Sequence, residues 1–155
     1  MARKESAGIV LYRYCDSRLE IFLVHPGGPF WKNKDAGAWS IPKGEFDKDE
    51  VPLEAARREF HEETGFSVDG SFVALTPVRQ AGGKVVHAWA VKGDCEAESI
   101  KSNSFTMEWP PRSGQRMEFL EVDRAGWFNL ELARQKILKG QLMLLDELQR
   151  VLQNS

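Results

Sequence analysis

The chain reads as an α/β fold in which antiparallel hairpins accompany at least two helices. Short apolar runs of strand length recur at 7–14, 19–25 and 84–92, each bounded by turn residues. Two other stretches, 52–64 and 130–152, carry their apolar residues at helical spacing instead.

In chain order, residues 7–14 (AGIVLYRY) form a strand and 19–25 (LEIFLVH) its hairpin partner, joined by Cys15-Asp16-Ser17-Arg18. Runs so continuously apolar predict a sheet covered on both faces. His25, closing the second strand, reads as structural. Residues 26–39, rich in Gly, Pro and aromatics, form a loop that leads to a short strand at Trp39–Ile41. Phe30 and Trp31 either stack on a nucleobase or cap the core. A glycine turn follows WSIPK at Gly44, and an acidic segment then enters the helix 52–64.

That helix is well delimited. Pro52 suits its first turn, Asp49 and Glu50 lie near its positive end, and Gly65 closes it in a left-handed conformation. Leu53, Ala56 and Phe60 make the stripe that packs on the sheet. Strands are expected at 71–79 and 84–92 around Ala81-Gly82-Gly83, with His87 pointing into or across the sheet. Residues 93–117 read as irregular, apart from a short strand at 105–107 ahead of Pro110-Pro111. A strand or bend follows at Trp127-Phe128. The tail is an amphipathic helix broken near Gly140, its stripe from Leu132 to Leu152 read as core.

Length and charge bound the function. At 155 residues, 42% hydrophobic and 28% charged, residues 1–155 are expected to form one domain with its own core. A net charge of −2 supplies no global field for a nucleic-acid polymer or an acidic membrane. No stretch reaches membrane-spanning length. Cys15 and Cys95 make no disulfide framework, which points to a reducing, cytoplasmic setting.

The chemistry concentrates between Gly44 and Phe66. Glu59, Glu62 and Glu63 are neighbours on one helical face, where like charges cost a few tenths of a kcal/mol per pair. They also sit at the negative end of the helix dipole. Something positive belongs against this face. An all-carboxylate set with no paired Cys or His suits a hard cation, Mg²⁺ or Mn²⁺. The bland reading is a solvated face with exposed Glu54–Arg58 and Arg58–Glu62 pairs. The wider spacing argues against it: Gly44, Glu50, Arg58, Glu59, Glu62, Glu63 and Gly65, with bulky Phe60 and Phe66, fit Gly-x5-Glu-x7-Arg-Glu-U-x-Glu-Glu-x-Gly-U, where U is bulky and apolar. With common residues at roughly 5–8% each, such a coincidence arises on the order of once in 10⁸ starts.

This segment resembles the Nudix box, complete and without a departure. The resemblance implies a Nudix α/β/α sandwich around a mixed sheet and a magnesium-dependent hydrolase that cleaves a diphosphate linked to another moiety, commonly a nucleoside. It implies metal ligation by Glu59, Glu62 and Glu63, with Glu62 or Glu59 preparing the attacking water. It further implies structural roles for Gly44, Glu50, Arg58 and Gly65, and an outer ligand at Glu121, with Glu118 as alternative. Lys43, Trp31 and Arg112 are the expected substrate contacts, and Trp109 a further one. Residues 39–45 look like the entry to the box in diadenosine polyphosphate hydrolases, while the flanks resemble predicted bacterial NTP pyrophosphohydrolases. The expected partner is a small nucleotide or related diphosphate, taken by a monomer or homodimer. Two other readings are a non-catalytic nucleotide sensor, disfavoured by the intact glutamates, and an isoprenoid diphosphate isomerase, disfavoured by the lack of a suitably placed cysteine.

Overall fold

The computed structural model describes residues 5–154. β1 (Glu5–Cys15) and β2 (Arg18–Pro26) form the expected hairpin, with Tyr12 opposite Ile21. Asp16 and Ser17 turn the chain at φ of 53° and 67°. Both faces of this pair are buried. Ile9, Leu11 and Phe22 pack on one side, Val10, Ile21 and Leu23 on the other.

β1 and β2 stay paired only near their turn, and residues 40–45 fill the gap where they part. Val24 and Ser40 exchange backbone hydrogen bonds of 2.9 and 3.0 Å, and Ile9 donates to the Pro42 carbonyl at 3.1 Å. β3 (Lys43–Glu45) then pairs antiparallel with Ser6–Gly8. Gly44 therefore lies in a strand and not in the turn expected after WSIPK. The wedge brings the Lys43-Gly44 backbone beside α1 (Pro52–Thr64), whose bounds match the expected helix.

The 71–79 segment forms two short strands, β4 (Val73–Ala74) and β5 (Val78–Arg79), both antiparallel to β6 (Val85–Lys92). A single strand fails at Pro77, which has no N–H for a ladder, and the Thr76 amide next to it donates to the Glu147 carboxylate. β6 runs parallel to β1, so the sheet is mixed. Residues 93–117 are more regular than expected: β7 (Ser104–Glu108) and β8 (Arg116–Leu120) make a separate hairpin. Most of its residues are exposed, so it carries none of the continuous apolar runs that mark the other strands. β9 (Val122–Asn129) returns to β2 and completes the order β4-β6-β1-β2-β9.

The tail helix breaks as expected, into α2 (Leu130–Lys136) and α3 (Leu142–Gln153) around a short turn at Gly140. Asn129 caps α2 by accepting from the Leu132 amide at 2.8 Å. α2 and α3 cover one sheet face with Ala133, Ile137, Leu144, Leu145 and Leu148, while α1 covers the other with Ala55, Ala56 and Phe60. Leu132 departs from the expected stripe, remaining 37% exposed. Gln141 ties the layers together: wholly buried, it donates to Ser40 Oγ and Gln80 Oε1 and accepts from the Ile41 amide. Among the described residues no helix is long and apolar enough to cross a membrane.

Asp35 pins the 26–39 loop to α2. Its carboxylate accepts from Trp39 Nε1 at 2.8 Å and pairs with Lys136 Nζ at 2.5 Å, and Lys136 followed by Trp39 holds its pKa below the usual carboxylate range. A depressed folded pKa gives stability that is present above the unfolded value and lost as pH falls through the folded one. Asp35→Asn is therefore expected to lower the melting temperature slightly near neutrality, and the deficit to shrink on acidification. A deficit constant from roughly pH 7 to pH 3 would contradict this.

Candidate active site

α1 carries two functions on adjoining faces. Ala55, Ala56 and Phe60 are fully buried, and Leu53 is only half-buried, so the packing stripe centres one residue away from the expected one. Gly65 ends the helix at φ 81°, and its amide donates to the His61 carbonyl at 2.7 Å. Glu59 falls at the border of the buried face and is 9% exposed, while Glu62 and Glu63 are half-buried. A Cβ on Gly44 would lie 2.0 Å from the Glu59 carboxyl group, so only glycine leaves that carboxylate its place.

Arg58 supplies positive charge against this face, and its expected pair with Glu62 forms. Its guanidinium grips Glu50 with two bonds of 2.8 and 3.0 Å, and donates to Glu59 at 2.8 Å and to Glu62 at 3.2 Å. Glu50 first, then Glu59, raises the Arg58 pKa further, and Arg58 in turn lowers that of Glu50. The exposed pair expected between Glu54 and Arg58 is absent from this arrangement; Glu54 lies 3.9 Å from Arg57.

Across from the helix end, Glu121 joins β8 to β9 and lines a cavity of about 120 Å³ with Lys43 and Glu63. The Lys43 amide approaches Glu63 Oε1 at 3.4 Å. Burial dominates the electrostatics. It pushes Glu63 up to about 8, opposed by Lys43 and reinforced by Glu59 and Glu121. It raises Glu59, where Glu62 and Glu121 add to the effect against Arg58, and it raises Glu121, where Glu62 adds. Burial likewise lowers Lys43, helped by Lys84 and opposed by Glu63. These are four carboxylates crowded at one corner, with Glu59 buried, Glu62 and Glu63 half-buried and Glu121 at its exposed rim.

The donor chemistry fits a hard divalent cation. All four groups offer oxygen, their charges repel one another, and the glycine cradle keeps Glu59 among them. Among the described residues no three His, Cys, Asp or Glu side chains are already gathered as a formed metal centre. Arg58 holds Glu59 and Glu62 meanwhile.

The remaining expected residues scatter. Phe30 and Trp31 do not cap the core: they are 62% and 36% exposed, and Phe30 meets the Trp109 ring edge-on at 5.5 Å. Arg112 sits exposed in the β7–β8 turn at φ 61°, its amide bonded to Glu108. Glu118 lines a second, larger cavity rather than the one shared by Glu63 and Glu121. His25 is wholly buried between Asp123 and the Lys34 carbonyl, and His87 meets Glu5 at 3.0 Å. Asp123 was not singled out in the sequence; its one signal was its place two residues beyond Glu121.

A mixed sheet between helical layers, with a helix end rich in carboxylates facing a lysine-bearing strand, defines an α/β/α sandwich built around an acidic site. The chain belongs to the Nudix family: the family model described as NUDIX domain matches residues 2–146. An RNA pyrophosphohydrolase of Bartonella tribocorum is 31% identical over 108 residues, 60% of this chain and 57% of that protein. The chain thus spans little more than half the length of the curated relatives it matches. Among solved structures, a C. elegans Ap4A hydrolase binary complex aligns with a TM-score of 0.71 and 22% identity, covering 98% of this chain and 99% of that one. The NUDIX domain of Shewanella oneidensis NrtR, complexed with ADP ribose, aligns with a TM-score of 0.68 and 22% identity over 98% and 90% of the two chains. These likenesses show the Nudix fold.

Proposed function

We propose that residues 1–155 act as one divalent-metal-dependent hydrolase domain that cleaves a diphosphate linkage in a nucleoside diphosphate derivative, of the NTP or dinucleoside polyphosphate type. The observation that carries this reading is the meeting of Glu59, Glu62 and Glu63 from one helix end with Glu121 from another element, beside Lys43. Glu59, Glu62, Glu63 and Glu121 would hold Mg²⁺ or Mn²⁺. Such an ion, when bound, lowers the pKa of water and neutralises charge on phosphate oxygens. Glu62, with Glu59 as alternative, takes the proton from the attacking water. Lys43 meets the substrate phosphate in a desolvated corner, where a charge acts more strongly. Arg58, clamped on Glu50, fixes the directions of Glu59 and Glu62. The printed names of the relatives, an RNA pyrophosphohydrolase and an Ap4A hydrolase, support anhydride cleavage. The unbridged Cys15 and Cys95 support a cytoplasmic setting, with the chain acting as a monomer or homodimer.

The test is Mg²⁺-dependent release of phosphate or pyrophosphate from a panel of diadenosine tetraphosphate, NTPs, dNTPs, ADP-ribose, nucleotide sugars and a 5′-triphosphorylated oligonucleotide. No release from any member with Mg²⁺ or Mn²⁺ sinks the hydrolase reading and leaves a binding domain. Gly44→Ala offers a sharper check. The three atoms nearest the added methyl all belong to the Glu59 carboxyl group at the end of a side chain, so the fold is expected to survive while turnover drops about 10–100-fold. Unchanged turnover would show that Glu59 does not need its place.

A further inference from the structure

Glu121 enters the carboxylate corner from an irregular strand end. β9 pairs with β2 in regular antiparallel register from Asn129 back to Arg124, which lies opposite His25. The next pair is Val122 with Pro26, so Asp123 is an extra residue with no partner on β2. This is a β-bulge, a device that re-aims side chains beside functional sites. Its effect shows in the packing. Trp127 and Ala125 face the α1 side of the sheet, and strict alternation would place Asp123 there next. The bulge places Val122 there instead, 3% exposed. A one-residue slip turns side chains to the opposite face. The bulge therefore decides how the chain leaves β9 towards Glu121.

Asp123 is held from the core. His25 is wholly buried, and its two ring nitrogens serve two segments. Nε2 donates to the Lys34 carbonyl at 2.6 Å, an oxygen that can only accept, and Nδ1 meets Asp123 Oδ1 at 2.8 Å. The Trp39 ring closes on the imidazole edge-on at 5.2 Å. A buried ring with both nitrogens engaged is fixed in orientation, and it fixes the bulged residue in turn. Glu121 itself is exposed, so its placement rests on its backbone more than on packing. Its amide donates to the Asn103 carbonyl at 2.8 Å, and its carbonyl accepts from the Gly27 amide at 2.9 Å. The Asn103 amide donates to the Glu62 carbonyl at 2.9 Å, which ties Glu121 to the end of α1. On its other side the Val122 amide donates to Ser102 Oγ at 3.0 Å, and Asp123 meets His25.

We propose that Asp123 is a positioning residue: its bond to buried His25 locks the β9 bulge and thereby aims the Glu121 carboxylate at the divalent cation. This rests on the metal-dependent hydrolase reading, and the experiment separates the two. Mn²⁺ alone is titrated into the full chain and followed by the loss of the free ion's paramagnetic resonance signal. Asp123→Ala is expected to weaken Mn²⁺ binding about tenfold and to lower kcat by a similar factor, with KM little changed. Asparagine can donate to Nδ1 or accept from it, so Asp123→Asn keeps the bond without the charge. It is expected to restore most of both losses. In a Glu121→Gln background Asp123→Ala is expected to add little, because it acts through that carboxylate. Circular dichroism checks folding. Should Asp123→Ala melt below the assay temperature, Asp123→Ser, whose shorter side chain withdraws from His25, is read in its place. Parent-like Mn²⁺ affinity in the truncated variant overturns the proposal, as does an additive loss in the Glu121→Gln background. Failure of Asp123→Asn to rescue also overturns it, since the charge rather than the bond would then matter. The expected Mn²⁺ pattern without hydrolysis of any nucleotide upholds the positioning role and removes the hydrolase. Hydrolysis with Mn²⁺ affinity unmoved by the truncation does the reverse, and a parent that binds no Mn²⁺ removes both.

Discussion

Glu62→Gln and Glu63→Gln are each expected to lower Mg²⁺-dependent hydrolysis by about 10²–10⁴-fold while the protein stays folded. Glutamine keeps the volume and the hydrogen-bonding oxygen but removes the charge that a divalent cation and an attacking water both require. The two sites differ in what else they lose. Glu62 shares Arg58 Nη1 with Glu59, so its neutralisation leaves Arg58 to Glu50 and Glu59. Glu63 is held up at about 8 by burial and by carboxylate neighbours, so its ionised form is costly without a cation. With a pKa near 8 that carboxyl is mostly neutral near pH 7 when no metal is bound, so glutamine replaces an uncharged group and Glu63→Gln is expected to melt no lower than the parent in the metal-free state. Turnover is read with saturating substrate, and folding by circular dichroism on the same samples. Wild-type turnover in both variants would remove this carboxylate set from catalysis.

Phe60→Ala is expected to cost about 3–5 kcal/mol of stability, the range for truncating a fully buried aromatic. Phe60 is 0% exposed, and its ring lies 5.9 Å from Phe22, which in turn lies 5.3 Å from Trp127. This aromatic chain is what presses α1 onto β2 and β9. The glutamates sit on the same helix, one residue before Phe60 and two and three beyond it, so loosening the contact displaces them as well. Urea denaturation at fixed pH measures the loss. A change below about 1 kcal/mol would mean that the neighbouring side chains collapse into the vacated space.

Legibility followed the range of the interactions. The bounds of α1 were readable because Pro52 and Gly65 act through their own backbone conformations. The β1–β2 hairpin was readable because its apolar runs and turn are adjacent in sequence. The 71–79 strand was misread because its apolar residues outweighed Pro77, although that proline forbids a continuous ladder. β3 was missed because its pairing depends on β1 and β2 parting to receive it. The β7–β8 hairpin was missed because its exposed strands lack a buried apolar face, and its turn is long.

Four box glutamates, their arginine and their glycines are written within one short segment, because a helix converts fixed spacing into a shared face. That alone established the family expectation and the kind of ion such a face accepts. Long-range folding supplied the rest. It set Glu121 and Lys43 against Glu63, made Gly44 a place for the Glu59 carboxylate, and built a large cavity from residues 27–32 on one side and 109–123 on the other. No local pattern encodes such meetings, since they exist only once the sheet has set the distances between segments that the chain itself keeps apart.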